Sequence, residues 1–135
     1  MRFLKIQMEN IEKSLWKDKK RSTLFGLALS FTHYELKESR LFITKGLFST
    51  KYDEVRLYRI TDVSLTRNLI QKIFGLGTIH CTSSDKTLGN FELKNIKDSE
   101  KVKEMLSEQV EKERVSHRVY ARENMLDMDD ELINN

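Results

Sequence analysis

Proline is absent from the 135 residues and glycine occurs only five times. Rigid turns and helix stops must therefore come from Gly, Asn, Asp and Ser, and element boundaries are weakly punctuated. A single cysteine, Cys81, excludes an internal disulfide and suits a reducing compartment. Long apolar runs are missing too. The start, MRFLKIQMEN, has no apolar segment before Glu9 and Glu12, and the longest nearly apolar stretch, Leu24 to Phe31, is too short to cross a bilayer. Neither a signal nor a transmembrane helix is expected. A cytoplasmic protein that touches membranes peripherally at most follows from this, and the length suits one domain with one ordinary core.

Charge of one sign is missing from the C-terminus. Glu123, Asp127, Asp129, Asp130 and Glu131 are the only charged residues after Arg122, so residues 1–122 hold 24 basic and 16 acidic side chains, a net +8 within a chain of +3. A basic body could draw nucleic acid, acidic lipid head groups or an acidic protein, although a solvated surface needs no partner at all. Nucleic acid is not expected, because the aromatics sit at core-like positions and are not interleaved with basic residues.

Leu4, Met8, Ile11 and Leu15 share one helical face, which predicts a short leading helix in an N-terminal extension, 1–11. A first strand follows over 13–21. Thr32, Tyr34 and Leu36 alternate with polar residues, turn at Lys37-Glu38-Ser39 and return through Arg40 to Thr44, a hairpin pattern. Further strands are read over 50–58, 61–67, 77–84 and 89–95. Between the fifth and sixth, Asn68 can cap a helical turn with Gln71 reaching back, Leu69 and Ile73, and Ile70 and Phe74, pair at i,i+4, and Gly75 suits a left-handed terminus. Phe74 is expected to plug one mouth of the sheet. From Asp98, a residue placed to cap, a long helix carries the stripe Val102, Met105, Leu106, Gln109 and Val110. Its docked part is expected to end near Lys112, with an acidic, disordered tail over 123–135.

Seven short strands followed by one amphipathic helix predict a mainly β fold, a bent antiparallel barrel with a C-terminal helix over one end. Leu15-Trp16-Lys17-Asp18, Phe31 to Leu36, Arg40 to Ile43, Gly46-Leu47-Phe48, Glu54 to Val63, Phe74 to Ile79 and Phe91 to Ile96 together resemble the bacterial pleckstrin-homology-like domains of the YdbS type. The resemblance spans roughly 12–118, and its most specific part is the Leu-Tyr-Arg-Ile to Phe-Gly-x-Gly-Thr-Ile spacing. It implies a pleckstrin-homology-like (PH-like) seven-stranded barrel over 12–122, in a stand-alone soluble member of a family whose relatives are often fused to membrane helices. Ser99 stands where relatives often have proline. The resemblance supplies no catalytic, cofactor or binding residue.

Motif chemistry is sparse. Gly75-Leu76-Gly77 lacks the third glycine of a dinucleotide loop, since His80 stands there, and it leads into a strand. His33, His80, His117 and Cys81 have no metal-ligand spacing, and His80 and Cys81 are strand neighbours on opposite faces. No elbow or base accompanies Cys81, which reads as a core thiol. Asp53 and Glu54 diverge on a strand. No cofactor, no metal and no enzymatic activity are expected. Arg56, Arg59 and Arg67 could each fix a carboxylate or phosphate, or pair with carboxylates of their own domain. Lys17, Lys19, Lys20 and Arg21 lead into Leu24, Phe25 and Leu27, too many apolar groups for an ordinary solvated connection. That segment either packs on the domain or contacts a protein partner or an anionic membrane surface. A noncatalytic interaction or assembly module leads the readings, anionic-lipid binding follows, and a small enzyme comes last. Self-association is also expected, from exposed sheet edges and from Val115, Val119 and Tyr120 beyond the docked stripe.

Overall fold

The computed structural model describes residues 12–21, 31–46 and 48–133, with the side chains described as far as 126. The predicted leading helix and Leu47 lie outside the described residues, as does the segment holding Leu24, Phe25 and Leu27. Seven strands are present: β1 (Ser14–Lys19), β2 (Thr32–Lys37), β3 (Arg40–Lys45), β4 (Lys51–Arg56), β5 (Ile60–Thr66), β6 (Leu76–Ser83) and β7 (Phe91–Lys97). They form two antiparallel sheets, ordered β1-β2-β3-β4 and β5-β6-β7. Helix α1 (Leu69–Phe74) joins β5 to β6, and helix α2 (Ser99–Ile133) follows β7.

The β2–β3 hairpin is where the alternation placed it. Tyr34 pairs with Ile43 and Leu36 with Leu41, and all four are buried, so a one-residue slip would turn the whole set into solvent. Val55 adds the fourth strand's inward residue, and Ile60, Ile79, Cys81, Leu93 and Ile96 face them from the second sheet. Val102, Leu106 and Val110 complete the core from α2, with Met105 packed partly against it. Burial of each such aliphatic side chain contributes roughly 1.5–3 kcal/mol. The Gln109 Nε2–H donates to the Glu38 carbonyl at 2.7 Å, tying the helix to the β2–β3 turn.

Three expectations need correction. The strand read to Tyr58 stops at Arg56, because Leu57–Arg59 forms a 3-10 turn that drops Leu57 into the core. With that turn between β4 and β5, the described strands make two sheets and no closed barrel. On the other side β1 and β7 approach without a ladder, and side chains bridge them: Lys97 N–H donates to Asp18 Oδ2 at 3.3 Å and Asn95 Nδ2–H to the Arg21 carbonyl at 2.6 Å. Asn95 has φ 55, which interrupts extended pairing there.

The third correction concerns the tail. The backbone stays helical to Ile133, where disorder was expected from Glu123. No glycine or proline follows Gly89, so the acidic run contains no residue that breaks a helix already under way. Asp98 precedes the helix at φ 53 and its carbonyl accepts from Val102 N–H at 3.0 Å.

Candidate functional site

Helix α1 forms as its local chemistry dictates. Asn68 Oδ1 accepts from Gln71 N–H at 2.8 Å, Gln71 Oε1 accepts from Asn68 N–H at 3.0 Å, and Gly75 ends the turn at φ 71. This capping box satisfies donors that a short helix leaves open. It also aims the Gln71 side chain inward, where Nε2–H groups donate to Thr78 Oγ1 at 2.7 Å and to Asn95 Oδ1 at 2.9 Å. Gln71 is 6% exposed.

The apolar residues of the same helix face the other way. Leu69 is 75% exposed, Ile70 52%, Ile73 72% and Phe74 47%. The expectation that Phe74 plugs a mouth of the sheet is therefore overturned: an amide fills the inward position, and the i,i+4 apolar pairs lie on the surface. Scattered surface hydrophobes are ordinary, but four large ones on six residues make a contiguous patch of the kind that marks an interaction surface.

A second feature is a groove of about 690 Å³ between the sheets, lined by Lys20, Lys45 and Lys94 around Tyr34, Ile43 and Phe91. At its edge the His80 ring lies between Thr66 Oγ1 at 2.7 Å and Glu92 Oε1 at 3.0 Å, and Lys94 pairs with Glu92 at 3.6 Å. The Tyr34 hydroxyl accepts from Lys94 N–H at 3.3 Å, and burial pushes its pKa upward. Burial, with the Asp62 charge second, pushes the Cys81 thiol up to about 12. A thiol so protonated is a poor nucleophile at neutral pH.

The residues singled out in the sequence are dispersed. Lys17 pairs with Glu35 at 3.5 Å, Arg21 holds both carboxylate oxygens of Asp18 at 2.7 and 2.9 Å, Lys19 is exposed, and Lys20 alone reaches the groove. Arg59 Nε–H donates to Tyr58 Oη at 3.4 Å, which raises the guanidinium pKa, and Asp85 at 3.7 Å adds to the rise. Arg67 donates to the Leu76 carbonyl at 2.9 Å and lies 3.9 Å from Glu100. Arg56 is exposed at the end of β4, in register with Arg40. The three arginines thus occupy three separate places, two of them bound within the domain. His117 stacks on Tyr58 with centroids 3.8 Å apart, far from His80 in the chain and in role. Sequence reasoning missed the outward face of α1, which Gln71 bonding to Thr78 and Asn95 decides and which no local pattern signals. It also missed Lys45 and Lys94, which no local pattern connects to Lys20.

Two packed antiparallel sheets followed by a C-terminal helix define a PH-like module. A family model described as bacterial PH domain matches residues 22–110, and the chain belongs to that family. Its members are generally noncatalytic. A comparison with curated proteins finds no match. Among the described residues no helix is long and apolar enough to cross a membrane.

Proposed function

We propose that this chain is a noncatalytic interaction module that docks a protein partner through α1. The observation that carries the reading is the inversion of that helix, with the glutamine bonded inside and Leu69, Ile70, Ile73 and Phe74 outside. Fixing exposed apolar groups on a capped turn between two strands lowers the ordering cost of binding, and desolvated apolar clusters of this size supply binding hot spots. Lys72 alone interrupts the patch, so an apolar groove on the partner suits it better than an acidic surface. Changing Ile70 and Ile73 together to serine tests the assignment. Stability should move by less than about 0.5 kcal/mol, as for other exposed positions, while partner affinity falls by tenfold or more. A variant that melts like the wild type and retains its partner would remove α1 from the function.

A second reading, binding of an anionic lipid surface, is favoured by the groove with Lys20, Lys45 and Lys94. Lys20 belongs to the basic run that also holds Lys17, Lys19 and Arg21 and that precedes Leu24, Phe25 and Leu27 in the sequence. Sedimentation with phosphatidylserine vesicles, released by salt and lost on Lys20→Glu with Lys45→Glu, would support it. Sedimentation indifferent to both changes would exclude it.

A further inference from the structure

Among the described residues the distal half of α2 has no packed cover. The helix is 35 residues long, about 52 Å at 1.5 Å per residue. Its buried stripe ends at Val110, and the His117 stack on Tyr58 is the last ring contact with the domain among the described residues. Every side chain from Val115 to Leu126 is exposed. A solvated helical arm of this length is marginal by itself, because helices in proteins draw most of their stability from a packed face.

Two independent features say what packs on it. Val115, Val119 and Leu126 follow one another at steps of four and seven residues, which places them within about 40° of one another around the axis. They form a narrow apolar seam. The charge pattern supplies the second feature. Over 112–122, Lys112, Arg114, Arg118 and Arg122 stand against Glu113 alone, a surplus of three positive charges, whereas 123–131 carries five carboxylates and no basic residue. The arm is therefore basic near the domain and acidic toward its end.

We infer that the arm pairs with the same arm of a second copy, antiparallel, in a two-fold dimer. Antiparallel pairing lays each basic half on the other copy's acidic half; parallel pairing would set acid on acid and base on base. Helix axes pack about 8–10 Å apart, within reach of one another's charges at physiological salt. A two-fold contact needs a surface complementary to itself, and a helix whose halves carry opposite charge meets that condition. With the axis between Arg122 and Glu123, Val119 comes level with Leu126 of the second copy and Arg118 with Asp127. This assembly is separate from docking through α1, which it leaves free.

Analytical ultracentrifugation of the full chain tests the inference. The expected species is a dimer that weakens about tenfold or more at high salt. Arg118→Glu with Arg122→Glu should give a folded monomer, as should Asp127→Lys with Asp129→Lys and Asp130→Lys. Mixing the two variants should restore a heterodimer, which a misfolded chain could not do. Orientation is read by cross-linking: Val119→Cys should form a disulfide with Leu126→Cys, and Val119→Cys alone should not. A monomer at concentrations up to about 100 µM, too weak for specific assembly, would overturn the inference. So would a dimer indifferent to the charge changes, a dominant Val119→Cys homodisulfide, or dissociation by Ile73→Ser in α1.

Discussion

Gln71 is expected to matter more to stability than any apolar residue of its own helix. Replacing it with leucine removes the Nε2–H donations to Thr78 Oγ1 and Asn95 Oδ1 and the acceptor for Asn68 N–H, three contacts of 2.7, 2.9 and 3.0 Å. Each bond contributes about 1 kcal/mol net, and a buried group left without a partner costs about 1–3 kcal/mol. Thr78 is itself buried, whereas the Asn68 end is open to water, so the total loss comes to about 3 kcal/mol. Asn95 is also the residue whose Nδ2–H ties β7 to the Arg21 carbonyl, so the damage should spread to the β1 side. Ile73→Ser, only two residues away, should cost under about 0.5 kcal/mol. Urea unfolding followed by the fluorescence of Trp16, the one tryptophan, measures both. Gln71→Glu keeps the shape and the bond to Asn68 but sets a carboxylate oxygen against Asn95 Oδ1, and should fall near the leucine variant. If Ile73→Ser or Phe74→Ser proves as costly as Gln71→Leu, the helix packs by its apolar side and the argument fails.

Gly77→Ala should destabilise by about 1–3 kcal/mol through overpacking, since an added Cβ would lie 2.7 Å from Ser99 Cβ and 3.0 Å from Arg67 Cγ; wild-type urea stability would contradict the close approach of β6 to the start of α2. The buried Cys81 should resist thiol reagents until the chain unfolds, and because its folded pKa of about 12 exceeds the unfolded 9.0, the unfolded state loses its proton first. Stability should therefore fall as pH rises above 9, by up to about 1.4 kcal/mol per pH unit from this group, and Cys81→Ala should flatten the decline, with an unchanged slope refuting the assignment. Burial, with Glu12 and Glu38 nearby, raises the pKa of Glu113. The folded chain then holds that proton more tightly than the unfolded one, so stability is gained as pH falls through the raised value. Glu113→Gln should accordingly melt slightly higher at pH 7 and match the wild type in acid, where a gain persisting at low pH would point to another cause.

The sequence made local structure legible wherever neighbours decide it. Tyr34 and Leu36 alternate against Leu41 and Ile43, so the hairpin and its inward face could both be read. Asn68, Gln71 and Gly75 announced the ends of α1 in the same way. The orientation of that helix could not be read, because i,i+4 apolar pairs look alike on a buried and an exposed turn. Thr78 and Asn95, which decide it, lie 7 and 24 residues from Gln71. The lack of barrel closure was hidden for a related reason: Leu57-Tyr58-Arg59 continues the alternation of β4 yet forms a 3-10 turn, and the missing β1–β7 ladder concerns segments far apart in the chain. Composition misled at the C-terminus, where an acidic run reads as disorder although nothing in it stops a helix. The groove depends on Lys20 just past β1, Lys45 at the end of β3 and Lys94 in the middle of β7 meeting in space, a juxtaposition that spacing along the chain does not contain.

The docking role of α1 is tested most directly by site-specific photocross-linking in cells. A photoreactive side chain at Ile73 should yield an adduct with a protein other than a second copy of this chain, while the same group at the exposed turn residue Lys86 should yield none. Equal labelling from both positions, or none from Ile73 in folded protein, would contradict the account.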